Sequence, residues 1–161
     1  YHGLAKYAID GDSSGLLAMA IACKAGTGQD LGFNASSMLG LHELMGAFEE
    51  YYEVGQSSGL LLAIDMFWPR IEIDKFRLGS DQACSISISE IALLAKMKPA
   101  SVRNYAVKGH AHYLSTIEDK HVAVLPECAH KWLLERKGYK PTVLPEGESE
   151  KDILRRYFDD C

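Results

Sequence analysis

The sequence predicts a mainly α-helical protein: a helical N-terminal domain, then a smaller helical module that includes one small two-stranded hairpin. Three observations lead there. Apolar residues recur at three- and four-residue steps through much of the first 80 positions, the mark of amphipathic helices. Two helix-start signals stand close together, at Ser87 and Pro99. Around them the charge changes sign. Residues 86–141 carry nine basic and five acidic side chains, against five and eleven before them and three and six after them. A basic island in a chain of net charge −5 is the pattern of a local polyanion-binding surface.

The N-terminal elements follow in order. Asp12-Ser13-Ser14 offers an N-cap ahead of Leu16 to Ile21, and Gly26-Thr27-Gly28 stops that helix. Asn34 caps a second helix, whose stripe of Met38, Leu41, Leu44, Met45, Phe48 and Tyr52 closes at Gly55. Ser57 or Ser58 starts a third through Leu60, Leu61, Ile64, Phe67 and Trp68, which Pro69 ends or kinks. Ile71-Glu72-Ile73 alternates as a short extended piece would. Gly79-Ser80-Asp81-Gln82 reads as a linker. The expected domains are therefore 1–80, helical and suited to dimerisation or sensing, then 81–141, then a tail 142–161 with a short helix over Asp152 to Phe158.

The informative stretch begins at Ser87. Ser87 and Glu90 have capping-box spacing, each able to satisfy the other's backbone amide. The helix they open buries Ile88, Ile91, Ala92 and Ala95, with Leu94 near the edge of the face. Lys96-Met97-Lys98 makes a turn, and Pro99 suits a first helical position because it has no amide to leave unpaired. A second helix runs from Ala100 to about Lys108, and Gly109 ends it. Val102, Tyr105 and Ala106 face inward, leaving Ser101, Arg103, Asn104 and Lys108 outside. Arginine reads guanine edges, asparagine reads adenine, and lysine and serine hold phosphates. Tyr113 to Ile117 and His121 to Val124 then read as two short strands around Glu118-Asp119-Lys120. Pro126 opens a third helix over Glu127 to Lys137, with Ala129, Trp132 and Leu133 on its apolar face and Gly138 as its stop.

Ser87 to Tyr139, about a third of the chain, resembles the winged helix-turn-helix of the MerR and excisionase group of DNA-binding proteins. The likeness rests on Ser-x-x-Glu-Ile-Ala-x-Leu-Leu, on Pro-Ala-Ser-Val-Arg-Asn-Tyr, and on a hairpin followed by a Trp-bearing helix. Such modules carry Gly at the turn and Ser or Thr as second-helix cap, where this chain has Lys96 and Lys98. The resemblance implies sequence-specific binding of double-stranded DNA by a bacterial or phage-type transcriptional regulator, with no enzymatic activity and no cofactor. The acidic N-terminal region would then make a homodimer that matches two half-sites. The DNA-contacting set would be Lys98, Ser101, Arg103, Asn104, Lys108, His110, His112 and Lys120.

Other readings compete with this one. A protein-interaction adaptor would carry the same helices as an architectural module and would work through the Met38 to Tyr52 stripe. An enzyme lacks a constellation to run it. Glu49, Glu50 and Glu53 read as a solvated helix face, and Ser13, Ser36 and Ser57 have no nucleophile-elbow context. The glycines at 26, 28 and 32 lack the Gly-Lys-Ser/Thr ending of a phosphate loop. His110-x-His112 has no third metal ligand at a recognisable spacing, so both histidines are read as solvent or phosphate contacts. Cys23, Cys84, Cys128 and Cys161 are too scattered for a disulfide framework or a zinc knuckle; they fit a reducing cytoplasm and the role of small buried hydrophobes. No apolar run is long enough to span a bilayer, since Asp65 interrupts Gly59 to Phe67. The opening residues do not read as a secretion signal, and a start at Tyr1 without Met is what a piece of a longer protein would show.

Overall fold

A computed structural model describes residues 5–24, 59–117 and 122–159. Those residues are mainly helical, with a small two-stranded antiparallel sheet. A π-helical turn, Lys6–Asp10, precedes α1 (Ser14–Lys24). Then come α2 (Gly59–Arg77), β1 (Ile86–Ser87), α3 (Ile88–Ala95) and α4 (Pro99–Tyr105). β2 (Ala123–Val124), α5 (Pro126–Leu134) and α6 (Glu148–Asp159) complete the series. The expected second helix, with its Met38 to Tyr52 stripe, falls outside the described residues.

The chain divides into two compact units, Tyr1–Phe67 with Thr142–Cys161, and Trp68–Pro141. The boundary read near residue 80 falls within the second of these. Gly79 has a cap to make there instead. Its φ of +76° lets the Gly79 amide reach Phe76 O at 2.9 Å and the Ser80 amide reach Lys75 O at 3.0 Å, which closes the end of α2.

In the first unit Asp12 starts α1 as its sequence suggested: its Oδ1 accepts from the Ser14 amide at 3.0 Å. Hydrogen bonds from the Ser14 hydroxyl and amide hold the Asp12 carboxyl below its ordinary value. Val143 bonds to Gly11 O at 2.8 Å and accepts from the Ser13 hydroxyl, so the C-terminal segment is tied beside the start of α1. The segment read as a tail thus carries a full helix, α6, longer than the Asp152 to Phe158 expected. α6 packs on α1 and buries Leu154 and Phe158. Tyr7 is fully buried, edge-on to Phe67 at 5.6 Å and 6.0 Å from Phe158.

In α2 the sequence reading is corrected. Pro69 neither ends the helix nor gives way to an extended piece at Ile71-Glu72-Ile73; the helix runs on to Arg77 with Pro69 inside it. An internal proline costs about 3 kcal/mol. Ile71 and Ile73 are both fully buried, each contributing about 1.5–3 kcal/mol, which offsets that cost. Burial on both sides also explains the misleading alternation, because residues two apart in a helix face different ways.

The second unit buries charge around Tyr139. Arg70, 1% exposed, donates to Lys140 O at 2.8 Å and lies over the Tyr139 ring at 5.5 Å. Asp74, with no exposed surface, accepts from Arg77 Nη1 at 3.0 Å. Burial, and then the Asp74 carboxylate, push the Tyr139 phenol up to about 12, although Arg70 and Arg77 pull the other way. Burial and the Arg77 charge press His130 below its ordinary value. The Tyr139 hydroxyl and His130 Nδ1 are buried without a hydrogen-bond partner among the described residues.

Above pH 10 the unfolded phenol ionises while the folded one stays protonated, so stability falls as pH rises toward about 12. The expected loss is about 1 kcal/mol by pH 11. Tyr139→Phe should abolish that slope. At pH 7 it should stay within about 1 kcal/mol of the native chain, because the hydroxyl it removes makes no hydrogen bond among the described residues. Urea unfolding of both chains from pH 7 to 11 checks both statements.

Candidate nucleic-acid interface

The two short helices are built as their local sequence requires. Ser87 is extended, its hydroxyl accepts from the Glu90 amide at 3.2 Å, and Glu90 Oε2 accepts from the Ser87 amide at 2.7 Å. This is the expected capping box. α3 buries Ile88, Ile91, Ala92 and Ala95 as expected, but Leu94 is buried too, not at the edge. Neighbours on several sides do this, since α3 packs against α4, α5 and β1.

The turn uses a residue ill suited to it. Lys96 takes the left-handed conformation, φ 55° and ψ 43°, where glycine would carry less strain. Its amide bonds Leu93 O at 3.1 Å and the Met97 amide bonds Ala92 O at 2.9 Å, so the carbonyls at the end of α3 are satisfied. Gly138 sits against the same helix end. A Cβ there would lie 2.3 Å from the Ala95 carbonyl oxygen. Gly138 therefore serves close approach, while α5 stops earlier than expected, at Leu134.

α4 opens on an extended Lys98 with Pro99 in its first turn, and the Lys98 side chain makes no capping hydrogen bond. Val102 is fully buried. Arg103 and Asn104 are exposed, Ser101 is half-buried, and Lys98 at the cap is exposed. This short element thus brings four of the sequence-nominated residues together. α4 ends at Tyr105, short of the expected Lys108. The reason is a competing donor. A longer helix would give the Tyr105 carbonyl the amide of Gly109, but Leu114 N takes it at 2.8 Å, and Leu114 is buried. Gly109, at φ +92°, then lies in the turn that follows and caps no helix.

Lys108, His110 and His112 fall in that following segment, all exposed. His110 leans edge-on against Tyr105 at 4.5 Å. His112 is drawn to α5, its Nδ1 3.1 Å from Glu135 Oε2. Lys120 lies outside the described residues. The expected hairpin also differs. β2 pairs with β1, in the register Ile86 to Val124 and Ser87 to Ala123, while Ile117 meets Ala123 in a single antiparallel bridge. Burial of Ile86 and Val124 favours that pairing. Cys84 is exposed, against the expectation of a small buried hydrophobe, and Cys128 is half-buried.

Residues that the sequence did not nominate fix the end of α4. The Arg136 guanidinium lies over the Trp132 ring at 4.2 Å and over the Tyr105 ring at 4.9 Å. Tyr105 and Trp132 meet edge-on at 5.3 Å, and the Trp132 indole donates to His112 O at 3.0 Å. Each such cation–π contact contributes on the order of 0.5–2 kcal/mol. The available signal was the Trp132-x-x-x-Arg136 spacing, one helical turn on α5 and its C-terminal extension.

Comparison of the chain with protein-family models, with curated proteins and with solved structures finds no match. Lys98→Ser supplies the missing cap and should raise unfolding stability by about 1 kcal/mol in urea. An unchanged or lower midpoint would show that the α4 start is satisfied in some other way.

Proposed function

We propose that this protein binds duplex DNA in a sequence-specific way, as a transcriptional regulator whose residues from Ser87 to Tyr139 act as a winged helix-turn-helix. α4 is the recognition element and enters the major groove, which admits one helix. One observation carries the reading: Arg103 and Asn104 lie exposed on a helix whose opposite side, at Val102, is fully buried. Adjacent arginine and asparagine side chains offer a bidentate donor for guanine and a donor–acceptor pair for adenine. Lys98 and Lys108, exposed at either end, and Ser101 supply phosphate contacts. His110, in the segment after α4, makes a flanking contact to the DNA backbone, and Lys120, outside the described residues, is assigned a phosphate contact from its sequence alone. His112 is a weaker contact, because Glu135 already holds its ring. The chain acts as a homodimer on half-sites about 34 Å apart.

Selection from a random duplex pool should enrich one site, with an affinity that falls steeply with salt. Arg103→Ala should cost about 1–3 kcal/mol on that site and relax the preference at one base pair. Lys98→Ser should weaken binding to every duplex alike and reduce the salt slope by about one. Absence of any bound duplex at about 50 mM salt would overturn the proposal, and so would affinity indifferent to both changes.

A further inference from the structure

An open cleft of about 270 Å³ lies between residues 111–115 and α5. Its walls include His112, Tyr113, Ser115, Lys131, Trp132 and Glu135. None of these was nominated by sequence except His112, and the DNA-binding reading leaves the cleft without a role. We infer that it is a binding site for a small flat organic anion, a carboxylate carried on an aromatic or similarly planar body.

The charge balance of the walls gives the sign of the ligand. Glu135 is already neutralised, because its Oε2 lies 3.1 Å from His112 Nδ1 and 3.2 Å from Arg136 Nη2. Lys131 stands one turn earlier on α5 and makes no hydrogen bond or ion pair among the described residues. The Ser115 and Tyr113 hydroxyls are likewise without partners there. Among the described residues the cleft therefore presents one cation without a counter-charge and two spare donors, the set that a carboxylate satisfies.

The remaining wall gives the shape. The indole N–H of Trp132 is occupied by His112 O, and Arg136 and Tyr105 lie against the same ring system. With that N–H taken, Trp132 adds apolar lining to the cleft beside Tyr113 and Ala111. An apolar body packs there, and a bare inorganic anion gains nothing from it. The volume suits a ligand of about 10 to 15 non-hydrogen atoms.

The test uses the full chain without DNA, so its failure and the failure of the DNA reading are separate results. Salicylate, salicylamide and inorganic phosphate are titrated into ¹⁵N-labelled protein. The readout is the Trp132 indole N–H resonance with the amides of residues 111–115. Salicylate should give saturable shifts with a dissociation constant on the order of 1 mM. Salicylamide and phosphate should bind at least about tenfold more weakly, and Lys131→Gln should weaken salicylate by a similar factor. Lys131 is exposed, so this variant keeps the fold. Three results would overturn the inference: no saturable shift with salicylate, salicylate binding undiminished by Lys131→Gln, or phosphate or salicylamide binding as tightly as salicylate.

Discussion

Burial of one side of α4 is the constraint on which the rest of the second unit depends. Seven residues are too few to hold a helix in water by themselves. α4 exists because Val102 is removed from solvent and the helix packs against α3. The same packing decides which side chains remain outside. With Val102 inside, Arg103 and Asn104 have no place but the surface. The chemistry offered to a partner is thus a consequence of where one valine is buried.

The neighbouring features secure that arrangement from both ends. At the start, the Ser87–Glu90 box fixes where α3 begins, and the left-handed Lys96 fixes where it stops. Strain accepted at Lys96 and the missing cap at Lys98 are modest local costs beside the burial they accompany. At the far end, Leu114 captures the carbonyl of Tyr105, and Arg136 stacks over Tyr105 and Trp132. Gly138 lets the chain pass against the Ala95 carbonyl, which keeps the region after α5 close to α3.

Features set by neighbours in sequence were legible before the structure. The capping box, proline in the first turn of α4, and the division of α4 into Val102 inside and Arg103 and Asn104 outside all depend on residues within a few positions of one another. Features set by distant partners were not. Pro69 survives inside α2 because Ile71 and Ile73 are buried in a core no local pattern announces. The end of α4 moved because Leu114, nine residues on, supplies a better-placed amide. β1 is two residues long, too short to show alternation, so the true partner of Ala123–Val124 could not be read in advance. The Arg136 stack needed Tyr105 to arrive from another helix.

The most direct measurement is a map of the protein's own amides on titration with a duplex carrying the selected site. If α4 enters the groove, the largest shifts, and the resonances that broaden first, fall at residues 98–105, with smaller changes along 106–117. Shifts confined to residues 1–67 or 142–161, with α4 unchanged at saturation, would contradict it.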